Sequence, residues 1–147
     1  MRKNKYFIIA AVLLLMSVAL TKDQTEPWRP DQLMAPKDLA TIINSATEVK
    51  PLIISVGPAG LIKGAVEIGA TKEKENLNKL KKLLAEEKKD RDVVIYCGCC
   101  PFQNCPNIRP AFSLLNSMKF TKHKLLDMPH NLKADWINYG YPMNNIE

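Results

Sequence analysis

Histidine, glycine and aromatic residues are scarce in this chain of 147 residues, with two histidines, six glycines and 7% aromatics. The glycines never gather into a loop of the kind that cradles phosphates, and no Ser, His and Asp follow one another as a hydrolytic triad would require. No pair of carboxylates is arranged for acid–base work. His123 and His130 are expected to be packed or solvated rather than catalytic. No repeat period is visible, which excludes a solenoid. A basic stripe interleaved with aromatics is also missing. Most lysines alternate with glutamate, as in KEKENLNKLKKLLAEEKKD, so a nucleic-acid surface is not expected and that segment reads as a solvated helix face.

The stretch from Phe7 to Leu20 is uncharged and apolar, preceded by Arg2, Lys3 and Lys5, which is the layout of a secretory signal. As a helix its length is about 21 Å, short of the roughly 30 Å hydrocarbon core. Residues 1–19 are therefore expected to be a signal peptide cut after Ala19, the alternative being an uncleaved membrane anchor over residues 1–20. No cysteine follows the run, so a lipidated N-terminus is not expected. Loss of residues 1–19 removes three basic groups and no acidic one, lowering the formal charge from +6 to +3. Export to the periplasm or another extracytoplasmic space would expose the cysteines to oxidising conditions.

Residues 20–34 are polar, with two prolines and no period, and read as a linker in which Trp28 pins the segment to the domain. From Ala35 the pattern alternates. Leu39, Ile42 and Ile43 lie at helical spacing behind Pro36, and KPLIISVG is a short buried strand. A second strand is expected around Ala65–Ile68. A helix with the stripe Leu77, Leu80, Leu83 and Leu84 follows, with Thr71 as its N-cap, and then the strand RDVVIYC. Further on, the spacing predicts a helix over Pro110–Met118, a strand over His123–Leu126 and a helix over Asn131–Tyr139 closed by Gly140 and Pro142. Helices between short buried strands imply an α/β sandwich with a mostly parallel sheet. Ligands of such sheets bind beyond the carboxyl ends of the strands, and Cys97 is at such an end.

All four cysteines fall in YCGCCPFQNCPNIRP, Tyr96 to Pro110. A thiol between a strand end and a helix start can be acidified by loop amides and the helix dipole, and the same amides can hold an anion. Gly98 permits the tight turn, while Arg109 offers a forked positive charge. Two other readings are open. Cys97, Cys99, Cys100 and Cys105 can ligate Zn²⁺ or Cu(I), although Cys-x-Cys-Cys-x4-Cys is not a pair of Cys-x-x-Cys knuckles and adjacent Cys99 and Cys100 meet one ion only with strain. A structural disulfide such as Cys99 to Cys105 would merely stiffen the loop.

The order DLATII, LIISV, IKGAVEIG, VVIYC and ADWINYGYPM, the last through Trp136, Gly140 and Pro142, resembles a rhodanese-like sulfurtransferase domain from about Ala35 to Met143. The resemblance implies a three-layer sandwich over residues 35–147 and a cysteine after the central strand, here Cys97, that carries sulfane sulfur as a persulfide. It further implies a small sulfur donor such as thiosulfate, a thiol acceptor, no organic cofactor, and an anion held by Gly98 and Arg109. This chain departs from the family in two places. Ser55 and Gly57 stand where the family strand has Asp and often Arg, and Arg109 lies twelve positions after Cys97 instead of five, an excess of seven. Cys99, Cys100 and Cys105 then become auxiliary thiols able to attack a Cys97 persulfide, release sulfide and leave a disulfide. The alternative is a non-enzymatic module on the same scaffold that binds a soft metal ion or a partner protein through this loop.

Overall fold

The computed structural model describes residues 26–144, so the expected signal peptide and most of the segment joining it to the domain lie outside the described residues. Five strands, β1 (Leu33–Met34), β2 (Leu52–Ser55), β3 (Val66–Glu67), β4 (Val93–Tyr96) and β5 (His123–Leu126), form one sheet in the order β1-β5-β4-β2-β3. Every pairing in it is parallel. The α/β fold expected from the alternating pattern is thus present. Parallel neighbours need crossovers long enough to hold a helix. Those crossovers include α1 (Pro36–Asn44), α2 (Lys74–Ala85) and α3 (Ile108–Ser117), with a short α4 (Leu132–Asp135) after β5.

Both faces of the sheet are covered, which explains why β4 is apolar throughout rather than alternating. On one face Ile54, Val93 and Ile95 pack against Leu80 and Leu84 of α2 and Ile108, Phe112 and Leu115 of α3. On the other, Ile53, Val94, Tyr96 and Leu126 meet Leu39 of α1, Leu132 of α4 and Trp136. Each fully buried Leu, Ile or Phe contributes about 1.5–3 kcal/mol, so the centre of the sheet is the stable platform on which the loops ride. Among the described residues no helix is long and apolar enough to cross a membrane.

Several local expectations shift. The segment read as a linker contributes β1, which pairs with β5 through Leu33 and Leu125. A strand of two residues has no period to detect, and its partner lies about ninety positions away. Trp28 is buried between Phe102 and Phe112, each ring 5.8 Å distant, so it does tie this segment down. Thr71 does not cap α2, whose N-cap position is Glu73. Helix α3 starts two residues early, with Pro110 in the first turn, where its missing N–H is not needed. The expected Asn131–Tyr139 helix is broken at Trp136, which leaves the helical region at φ −131° and separates α4 from a 3-10 turn over Ile137–Tyr139. Gly140, in the left-handed region at φ 69°, ends that turn as expected.

Candidate functional site

Strand β4 is central and fully buried, and its parallel register with β2 pairs Ser55 with Tyr96. One step on, the Val56 N–H donates to the Tyr96 carbonyl at 2.8 Å. This register brings the residue after Val56 against the residue after Tyr96. A Cβ on Gly57 would lie 2.2 Å from Cys97 Sγ, so only glycine lets the two backbones close up with the thiol between them. Cys97 is 2% exposed.

Gly98 then turns the chain at φ +78°, a conformation other residues adopt only with strain. Its carbonyl accepts from the Leu132 N–H at 2.8 Å. A side chain at residue 98 would also meet Ala59 and Leu132 at 3.0 Å or less. Beyond Pro101 a 3-10 turn over Phe102–Asn104 inserts Phe102 beneath Trp28, and the Phe102 N–H donates to the Met128 carbonyl at 3.2 Å. The loop is therefore pinned at Gly98 and Phe102, with Cys99 and Cys100 between the pins.

Three sulfurs converge. Cys97, Cys99 and Cys105 have Sγ atoms all within 4.8 Å of one another, with Cys97 and Cys99 at 3.1 Å. Cys97 and Cys105 are buried and Cys99 is exposed, and all four thiols are free. Cys100 contacts Cys99 at 3.4 Å but stands outside the group of three and packs against the first core cluster. The Cys99–Cys105 disulfide considered from sequence is thus not formed.

Asn107, the residue before α3, donates its side-chain Nδ2 to Cys97 Sγ at 3.4 Å. Its own position is fixed from across the sheet's edge. The Thr71 hydroxyl donates to the Asn107 carbonyl at 2.6 Å, and the Lys72 N–H donates to Asn107 Oδ1 at 3.1 Å. Thr71, expected as the N-cap of α2, and Lys72 instead aim the amide at the sulfur.

These donors set the charge of the cluster. The hydrogen bond from Cys105 is the largest influence on Cys97. Together with the Asn107 amide, the Cys99 backbone N–H and the Cys99 thiol, it outweighs burial and holds the Cys97 thiol down to about 5. Giving that hydrogen bond, and burial, push Cys105 up, although the Asn107 and Ile108 N–H groups oppose the rise. Cys99, despite its exposed flank, is pushed up to about 12 by desolvation first and then by its contacts with Cys97 and Cys100. The three thiols titrate as one coupled group, in which Cys97 is held down while Cys99 and Cys105 are pushed up.

Arg109 faces elsewhere. Its Nη2 donates to Glu26 Oε1 at 2.9 Å and to the Gln103 carbonyl at 3.2 Å, and the guanidinium lies over Trp28 at 5.4 Å from the ring centroid. Among the described residues none of its hydrogen bonds runs to a cysteine. Among the described residues neither histidine side chain hydrogen-bonds to a cysteine. His123 is buried, accepts or donates at Nε2 with Gln32 and Asn116, and burial lowers its pKa. His130 Nδ1 pairs with Asp135 at 2.8 Å.

Sequence reasoning took Gly57 only as a departure from the family strand and Thr71 only as an N-cap, and it passed over Asn107. Gly57 follows a buried strand directly, a signal for close backbone approach, and Asn107 is a capping-type residue one place before a helix. What they touch is visible only with the sheet assembled. Chemically, the cluster is a buried thiolate with three donors and one exposed neighbour, and its three sulfurs can also hold a thiophilic ion. No protein-family model matches the chain, and no curated protein matches it in sequence.

Proposed function

We propose that this chain is an exported, rhodanese-like sulfur-handling protein in which Cys97 takes up sulfane sulfur as a persulfide. The observation that carries this reading is the Cys97 sulfur just past the carboxyl end of the central strand, buried against Gly57, with the Asn107 amide donated to it at 3.4 Å, Cys99 Sγ at 3.1 Å and Cys105 Sγ within 4.8 Å. An ionised thiol is the nucleophile, and its donors lower the charge density that a buried thiolate would otherwise carry unpaired. With thiosulfate as donor, the Cys97 thiolate attacks the outer sulfur, the sulfur–sulfur bond of thiosulfate breaks, and sulfite leaves with the electron pair. An acceptor thiolate then takes the same sulfur and returns Cys97 to its thiolate.

The sulfite-like group would be held by loop amides around Gly98. Arg109 contributes there only by turning from Glu26, to which it is paired in this structure. Export is supported by the charged and then apolar N-terminus. Mass spectrometry of the anaerobically purified protein after thiosulfate or polysulfide treatment tests the reading. One added sulfur is expected on the wild type and none on Cys97→Ser. Equal loading of both, or of neither, defeats it.

A second reading, a non-enzymatic module for a soft ion, draws on the same three sulfurs. Metal–thiolate bonds of about 2.3 Å place neighbouring sulfurs roughly 3.8–4.0 Å apart, a spacing this cluster reaches with small side-chain adjustments. Cys100, included in the ligand set from sequence, is not part of that group. Stoichiometric Zn or Cu(I) in elemental analysis of protein purified without chelators would favour this module; its absence would count against the ion-binding form of it.

A further inference from the structure

Cys97 is 2% exposed, so an acceptor as large as a peptide thiol has no direct path to its sulfur. Cys99 is exposed, is two residues away, and its Sγ lies 3.1 Å from that of Cys97. The pins at Gly98 and Phe102 flank Cys99 in the chain, just beyond the buried Cys97. The other thiols are placed differently. Cys105 is buried on the inner side, against the start of α3, and Cys100 packs on the core.

We propose that Cys99 is the outlet of the site, receiving the sulfane sulfur from Cys97 and passing it to acceptor thiols too large to reach Cys97. This rests on the persulfide reading above and adds a direction of travel to it. A sulfane sulfur on Cys97 extends about 2 Å from Sγ, which brings it into contact with a neighbouring sulfur 3.1 Å away. Cys99 sulfur attacks the outer sulfur of the persulfide, and the bond between that sulfur and Cys97 breaks. Its electron pair returns to Cys97 as thiolate, and the proton released by Cys99 ends on the transferred sulfur. Sulfur is neither oxidised nor reduced overall, and no external reductant enters. The 3.1 Å approach of the two sulfurs and the exposure of Cys99 beside a buried Cys97 set the outward direction of the transfer. Cys105 and Asn107 stay behind as the donors that receive the returning charge.

The test compares wild type, Cys99→Ser and Cys97→Ser, each loaded with limiting polysulfide and quenched with an alkylating agent before the loop peptide is fragmented. Wild type is expected to carry the added sulfur on Cys99 within the loading time. Cys99→Ser should keep it on Cys97, and delivery to glutathione should fall by about tenfold or more, a larger fall than that of delivery to cyanide, a small anion. Equal delivery to glutathione by wild type and Cys99→Ser, with sulfur on Cys97 in both, overturns the relay and leaves the persulfide reading intact. A Cys97–Cys99 disulfide with free sulfide, in place of a Cys99 persulfide, also overturns it. No loading of wild type at either cysteine removes the persulfide reading itself.

Discussion

Removing the Cys105 thiol should raise the pKa of Cys97, and the size of the rise follows from the geometry. Cys105 supplies the leading hydrogen bond to the Cys97 thiolate, which lies at about 5 in the intact cluster. A hydrogen bond to a charged group is worth about 1.5–3 kcal/mol, and each pKa unit corresponds to about 1.4 kcal/mol. Cys105→Ala should therefore move Cys97 upward by about one to two units. At pH 6, about nine in ten wild-type Cys97 side chains are ionised; with a midpoint near 6.5 only about a quarter would be. Cys105→Ser keeps a donor and should restore most of the shift. The assay is ultraviolet absorbance of thiolate against pH, reading the low-pH step that Cys97→Ser lacks. Burial alone would give the opposite ordering, because it disfavours the charged form. A Cys105→Ala midpoint within about half a unit of wild type, or equal shifts in the Ala and Ser variants, would refute the account of how the charge is held.

Two further outcomes follow from the packing. Gly57→Ala places a methyl where Cys97 Sγ now lies, so the thiol must leave its donors; sulfur loading should fall by about tenfold or more and stability by about 1–3 kcal/mol, read by mass spectrometry and chemical denaturation. Unchanged loading by Gly57→Ala would show that Cys97 works from another position. Trp28→Ala empties the space between Phe102 and Phe112 and frees Arg109 from its stacking partner, and should cost about 3–5 kcal/mol in the same denaturation assay. A loss below about 1 kcal/mol would mean that the segment before β1 is not part of the folded unit.

The elements with strong periodicity were legible. The stripe Leu77, Leu80, Leu83 and Leu84 lies within α2, and the run of apolar residues before Cys97 contains β4, because burial on one face or on both imposes those patterns directly. The short or irregular pieces were not. β1 is two residues long, and its existence depends on β5 offering an edge. Thr71 has the chemistry of an N-cap, yet its hydroxyl is drawn to the Asn107 carbonyl because the loop before α3 folds back against the start of α2. Trp136 interrupts the last helix because its side chain is buried among residues of the second core cluster, with its ring N–H donated to the Pro142 carbonyl at 3.2 Å.

For the site itself, the sequence alone determined that a cysteine would stand at the end of a buried strand, that a glycine would turn the chain after it, and that three more thiols would follow closely. Those facts are local: they need only a strand, its end and the chain's continuity. Tertiary structure decided which thiols meet. A loop with three prolines and a 3-10 turn has no period from which side-chain directions can be read, so the grouping of Cys97 with Cys99 and Cys105, and the exclusion of Cys100, came from the pins at Gly98 and Phe102. The same holds for Gly57, brought to Cys97 by the parallel register of β2 and β4, and for Asn107, aimed by residues 71 and 72. Contacts between residues forty positions apart in the chain are set by how strands and helices stack, and that information is distributed over the whole core rather than written beside the cysteines.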